Sequence, residues 1–440
     1  MRTHLFCAML LLASAPAYAT NAVLVGQLDV SPQEQYTDVW GWQDPQTLRL
    51  YALVGNNASG LHIVDVTDPS LPFAVSTVNT VPRFDMKTRG SLVYTVDGFT
   101  GTGGVVDISN PASPVVVGSF PGGHNIFIDD AGFLYVCQPG LSIYDLNIDP
   151  HTPPLAFNNG ATDGHDAMVV GDLLYEFRGP TATVLWDVTD RYNPVPFTAI
   201  VDPTMTYHHN GWPTDDGRYL FITDEYALNP SPDITVWDLV DPLHPVRIGE
   251  ISDPSSSVHN CYVIGDLLYV AYYTAGFRLY DIADPAQPVL LDTHDTSSST
   301  GEGVFQGAWG CYPFSPDGSI YINDRPNGLF VFRLENVPTG VPRTPARAPR
   351  LVVQAAAPNP FAGTTTLRYS LADDGRVTAA VYDAAGRRVR QLAGGDITAG
   401  EHTLTWDGRD DSGVRMASGI YFCRVAGGGE TRVGKMVLLR

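Results

Sequence analysis

The chain has 440 residues, with 43 glycines, 34 prolines and only 17% charged residues. This turn-rich composition argues for β structure and against a helical bundle. Charge is unevenly placed: up to Glu335 there are 12 Lys+Arg against 38 Asp+Glu, and from Asn336 onward 14 against 9. The acidic part repels phosphate backbones and anionic lipid, so nucleic acid and an anionic membrane are poor partners for it and no nucleic acid is expected to bind.

In chain order, the first element is an expected signal peptide over residues 1–19. Arg2 supplies the positive start, Leu5 to Ala13 the apolar stretch, and Ala17-Tyr18-Ala19 the small residues of a cleavage site. It predicts export, to the extracellular space or outer cell surface. No later stretch approaches the ~18 consecutive apolar residues of a membrane span. Cys7 falls within the leader. The other cysteines, Cys137, Cys261, Cys311 and Cys423, are too widely spaced for a zinc motif and too few for a disulfide scaffold. The state of Cys261 and Cys311, which share one column in adjacent repeats, is left open.

A repeat then governs the chain to Glu335. It reads Gly-Leu-His-Ile-Val-Asp from Gly60, Gly-Val-Val-Asp from Gly104, Leu-Ser-Ile-Tyr-Asp from Leu141 and Val-Leu-Trp-Asp from Val184. It returns as Thr-Val-Trp-Asp from Thr235, as Arg-Leu-Tyr-Asp from Arg278 and, degenerate, as Leu-Phe-Val-Phe-Arg from Leu329. Asp65, Asp107, Asp145, Asp187, Asp238 and Asp281 register the copies, with Arg333 in the seventh place and separations of 38 to 52 residues. Periods of ~40–50 residues with several short strands each predict propeller blades. Asp/Asn-Pro turns, as at Asp68-Pro69 and Asp241-Pro242, end one strand and set the next. The fold expected is all-β: a seven-bladed β-propeller over residues 20–335, whose last blade is completed by residues 22–29, then a Pro/Arg-rich linker over 336–350 and a small Ig-like β-sandwich over 351–440.

These copies resemble LVIVD-repeat proteins. Together with Tyr36-Thr37-Asp38-Val39-Trp40-Gly41-Trp42, Tyr207-His208-His209-Asn210-Gly211-Trp212 and Gly307-Ala308-Trp309-Gly310-Cys311-Tyr312-Pro313, they resemble the choice-of-anchor B family. That resemblance implies an exported propeller and defines no activity. In the tail, strands are predicted at Thr366–Leu371, Val377–Asp383, His402–Trp406, Ile420–Val425 and Lys435–Leu439. Ala357-Pro358-Asn359-Pro360-Phe361, Trp406-Asp407-Gly408 and Ser418-Gly419-Ile420-Tyr421 resemble type A sorting domains of type IX secretion substrates and the related FlgD-like Ig domains. This resemblance implies that the secretion and sorting machinery is a partner of the tail.

The chemistry concentrates at one place. His124-Asn125, His165-Asp166, His209-Asn210 and His259-Asn260 fall at the same point of four successive repeats, with Asp38 and Asp85 in the Asn/Asp column and Trp309 in the last. This point is the entry of each innermost strand, at the mouth of the central channel. Asp224 and Arg325 are expected on loops at the same face, with Asp97, Arg178, Glu225, Tyr272 and Tyr273. His124, His165, His209 and His259 are candidate ligands of a divalent metal, the one cofactor this ring could hold. The same ring could bind a polar ligand, or its pairs could simply tie neighbouring repeats together. No Gly-x-Ser-x-Gly, His-Glu-x-x-His or P-loop signature is present. The expected function is therefore an exported binding module for a surface polymer or protein. A metal-assisted lyase or hydrolase and an envelope structural protein are the alternatives.

Overall fold

The aspartate that registers the repeat closes a turn. In a computed structural model of the chain, which describes residues 21–31, 35–98, 101–336, 351–353, 356–371, 374–383, 387–427 and 430–439, the carboxylates of Asp65, Asp107, Asp145, Asp187, Asp238 and Asp281 each accept the backbone N–H two residues on. A short acidic side chain competes well for a local amide, and so ends the strand that precedes it. In each of these six repeats the pairing to the following strand slips by one residue just before the aspartate, as at Ile63/Val64 and Val105/Val106. The same bulge recurs with the sequence repeat. The expected leader, and the expected linker beyond Asn336, lie outside the described residues.

Among the described residues there is no helix, and residues 21 to 335 pair into seven antiparallel sheets of four strands. The first sheet runs Tyr36–Gln43, Leu50–Asn56, Gly60–Asp65 and Phe73–Val78. The first strands of the next five are Asp85–Arg89, Ile126–Ile128, Asp166–Val170, His208–Pro213 and Cys261–Ile264. Each lies beside the first strand of the sheet before it. In the last sheet Ala308–Tyr312 returns to Tyr36–Gln43, so the first strands surround a common axis. Its outermost strand is Asn21–Leu28, paired antiparallel with Gly328–Glu335.

The second and third strands of each sheet are apolar and buried on both faces, as in Leu50–Asn56 and Gly60–Asp65. Fourth strands are only partly buried, as in Val246–Ile251. Neighbouring sheets meet closely enough to demand glycine. A Cβ on Gly26 or Gly118 would lie 2.0 or 1.9 Å from the carbonyl oxygen of Pro69 or His151, in the turn of the adjoining sheet. Cys137, Cys261, Cys311 and Cys423 are buried free thiols.

Residues from 351 onward build two further sheets. One joins Leu351–Val353, Thr365–Leu371 and Gly400–Trp406; the other orders Arg388–Ile397, Gly375–Asp383, Gly419–Gly427 and Glu430–Leu438. Trp406, Phe361, Tyr369, Tyr421 and Cys423 fill the core between them. Two of these strands were not among those the sequence predicts. Leu351–Val353 is only three residues long. Arg388–Ile397 carries four polar residues and two glycines, takes two bulges against its partner and remains largely solvent-facing, so it shows no clean alternation.

The close approach at Gly118 can be measured. Gly118→Val should cost at least about 1–3 kcal/mol, the usual penalty of overpacking, because the obstacle is backbone. Urea unfolding of the purified chain checks this.

Candidate functional site

The two polar columns sit at the entry of the first strands and form stacked layers around the axis. The upper layer is a ring of side-chain rings. Phe84, His124, His165, His209, His259 and Trp309 follow one another at centroid distances of 4.7, 4.7, 4.4, 4.5 and 4.3 Å, and Trp309 returns to Phe84 at 5.5 Å. His124 is partly exposed; His165, His209 and His259 are buried.

Backbone carbonyls fix these imidazoles. His165 Nδ1 donates to the His209 carbonyl at 3.0 Å, His259 Nδ1 to the Trp309 carbonyl at 2.7 Å, and His124 Nδ1 to the Gly98 carbonyl at 3.3 Å. A carbonyl only accepts, so in each case Nδ1 holds the proton and Nε2 is the unprotonated nitrogen. His209 Nδ1 faces the His259 backbone outside hydrogen-bonding geometry. Burial lowers all four imidazole pKa values, that of His209 to about 3. The ring is uncharged at neutral pH.

One position deeper lie Asp38, Asp85, Asn125, Asp166, Asn210 and Asn260, with Gly310 in the last sheet. Several also bridge sheets. Asp85 Oδ2 accepts the Ile126 N–H at 2.8 Å, Asn210 Oδ1 the Cys261 N–H at 3.2 Å, and Asp166 Oδ2 the Asn210 side-chain amide at 2.8 Å. Among them sits Lys87, one of only two lysines in the chain. Its ammonium is 2.5 Å from Asp85 Oδ1 and 3.7 Å from Asp38 Oδ2, and lies over the Trp40 ring at 4.4 Å. These groups line a cavity of about 20 Å³, roughly the room one water needs. Asp38 Oδ1 and Asn260 Oδ1, both from lining residues, have no hydrogen-bond partner. Desolvation, ahead of the neighbouring charges, raises Asp166 to about 7 and Asp38 well above the carboxylate range. The far side is closed by an aromatic floor, where Trp212 meets Tyr262 at 4.9 Å and Phe314 at 5.4 Å, and Trp40 meets Tyr312 at 4.9 Å.

Loops cover the mouth. Asp224, at the end of Tyr219–Asp224, spends its oxygens on the backbone N–H groups of Thr206, Tyr207 and Tyr226. It positions the loop and does not face the channel as a free acceptor. Arg325 lies over the Trp309 ring at 4.3 Å and donates to Gln35. Arg178 is held by Glu176 at 2.9 Å. Glu225 reaches in: Oε2 is 3.5 Å from His209 Nε2, and Oε1 accepts the Tyr273 hydroxyl. Tyr273 adopts a φ of 24°, uncommon for an aromatic residue, within backbone bonds from Gly276 and Ala308 to its carbonyl. Outward from the ring, aromatic contacts continue from His165 to Tyr207 (5.2 Å), Tyr207 to Tyr226 (4.7 Å) and Tyr226 to Phe305 (5.4 Å), with Tyr226 exposed.

The structure thus gathers His124, His165, His209, His259 and Trp309 in one layer and Asp38, Asp85, Asp166, Asn210 and Asn260 in the next, with Arg325 above and Asp224 to the side. Sequence reasoning missed Lys87 and Phe84. The scarcity of lysine was the available signal for the first; Phe84 stands one place before Asp85, in the histidine column.

Comparison with known proteins agrees with this architecture. The LVIVD repeat family matches residues 50–80, 103–121 and 255–296, and the FlgD Ig-like domain family matches residues 359–430. The chain carries LVIVD repeats on a β-propeller and a FlgD Ig-like domain. The basal-body rod modification protein FlgD of Salmonella typhimurium is 46% identical over 46 residues, 10% of this chain and 20% of FlgD. The chain therefore spans about one fifth of the length of the curated relatives it matches. Among solved structures, the WD40 β-propeller domain of Doa1 superposes with a TM-score of 0.53 at 12% identity, covering 71% of this chain and 96% of that one. PorZ, a bacterial surface component of the type IX secretion system of Porphyromonas gingivalis, gives 0.45 at 14% identity, covering 89% and 58%.

Lys87→Met would leave three carboxylates around the cavity, those of Asp38 and Asp85 buried and that of Asp166 partly so. At pH 8 it should destabilise the chain by about 3–5 kcal/mol, the cost of removing one partner of a buried ion pair. Asp38 and Asp166 have raised folded-state pKa values, so the stability they confer is present at low pH and is lost as pH rises through those values. The defect should therefore shrink at pH 5. Urea unfolding of both chains at the two pH values checks the magnitude and the direction.

Proposed function

We propose that this chain is exported to the outer surface or beyond, where it acts as a ligand-binding propeller. Its C-terminal Ig-like domain is the sorting or anchoring unit, and the sorting machinery is that domain's partner. The seven four-stranded sheets are read as seven blades, the last completed by Asn21–Leu28. Export rests on the basic, apolar and small-residue pattern of residues 1–19.

One observation carries the binding reading. The aromatic ledge from exposed Tyr226 through Tyr207 to His165, with Phe305 alongside, joins the surface to a polar, hydrogen-bonding ring. Flat apolar faces beside fixed polar groups suit a sugar ring, which offers both C–H faces and hydroxyls. A bacterial surface polysaccharide is the ligand class it fits best.

A second reading, a metal-assisted lyase or hydrolase at the same mouth, is favoured by the convergence of His165, His209 and Glu225. It requires turnover of such a polymer that disappears in His165→Ala.

Retention of the purified chain on an array of immobilised bacterial surface glycans tests the binding reading. The wild type should be retained, and the Tyr226→Ala/Phe305→Ala double variant should bind at least tenfold more weakly while unfolding at a similar temperature. Absence of retention on every glycan, or equal retention by the variant, overturns it. Export is tested separately: a reporter fused behind residues 1–19 should leave the cytoplasm, and one that stays inside removes that part.

A further inference from the structure

We propose that the channel mouth is a transition-metal centre, with His165, His209 and Glu225 as its protein ligands. It rests on the same convergence as the enzymatic reading but needs no catalysis, and its failure would leave the glycan-binding reading standing.

Three independent features point to it. The first is reach. One ligand atom from each of these buried residues lies within 4.8 Å of the other two, a spread that small side-chain adjustments close around an ion with bonds of ~2.0–2.2 Å. The second is preparation. The His165 Nδ1–H is committed to a backbone carbonyl and one Glu225 oxygen to the Tyr273 hydroxyl. Outer partners of this kind fix the tautomer of a ligating imidazole and the orientation of a ligating carboxylate. The third is an unresolved contact. His209 Nε2 faces Glu225 Oε2 at 3.5 Å, too long for a hydrogen bond. A cation between the two atoms would satisfy both.

The donor set selects the ion. Two neutral imidazoles and one carboxylate suit a borderline divalent ion such as Zn²⁺ or Co²⁺, whereas Ca²⁺ and Mg²⁺ take oxygen ligands. His124 and His259 flank the pair at centroid distances of 4.7 and 4.5 Å and are the nearest additional nitrogen donors.

The test uses the mature full chain, stripped with chelator and titrated with Zn²⁺ by calorimetry and with Co²⁺ by visible absorption. The expected result is one tight equivalent per chain, a Co²⁺ spectrum without thiolate charge-transfer bands, and a rise in unfolding temperature with Zn²⁺. Glu225→Gln, nearly isosteric, and His165→Ala should each weaken Zn²⁺ binding at least 100-fold. Tyr273→Phe should weaken it by about 10–100-fold, the usual effect of removing an outer partner. His244→Ala, at an exposed histidine, should change nothing. Absence of a tight equivalent in the wild type overturns the proposal, as does undiminished binding in folded Glu225→Gln. If His165→Ala fails to fold, Glu225→Gln and Tyr273→Phe decide the matter.

Discussion

The structure depends on polar side chains at the entry of successive first strands that bond across to the next sheet. Asp85 and Asn210 accept backbone N–H groups of the following sheet, and His165 and His259 donate to its carbonyls. First strands cannot pair with one another edge to edge as the strands within a sheet do. Without these bridges, their ends would leave backbone groups unsatisfied at a buried junction. Asp85, Asn210 and Asp166, which make such bonds, also line the small cavity on the axis, so a single repeated structural device also produces a lined channel.

That geometry accounts for the electrostatics. Carboxylates brought together in a small, low-dielectric space repel one another, and one ammonium cannot neutralise three of them. Lys87 meets part of the demand, and burial, ahead of repulsion from Asp85, pushes the pKa values of Asp38 and Asp166 above the ordinary carboxylate range. The aromatic floor withholds solvent from one side. The polar layers are thereby approached from the mouth, where Arg325, Glu225 and the tyrosine ledge stand.

Much of this was legible in the sequence, for a specific reason. The registering aspartates recur because each closes the same turn, so the period of the chain is the period of the structure. The His-Asn and His-Asp pairs could be aligned because they hold the same place in successive repeats. Glu225 and Tyr273 lie in loops that differ between repeats, and no periodicity shows that Glu225 bends toward His209 and Tyr273 toward Glu225. Asp224, beside Glu225, was expected to serve a ligand and instead serves the backbone. Neighbours with the same charge differ in role by the direction in which the loop turns them, which spacing does not encode. The strand at Arg388–Ile397 escaped because its partner, and not its own alternation, makes it a strand.

The pairing of Asn21–Leu28 with Gly328–Glu335 has a kinetic consequence. Asn21 and Asn336, in hydrogen-bonding contact, are 315 positions apart, so the last sheet gains its outer edge only through a very long loop closure, an event ordered late in folding. Until then the chain is an open arc of sheets with two unsatisfied edges. For a polypeptide threaded outward from its beginning, such an arc cannot close before the residues near 335 have crossed. Formation of the separate sheets and closure of the last one are therefore ordered in time by the topology itself.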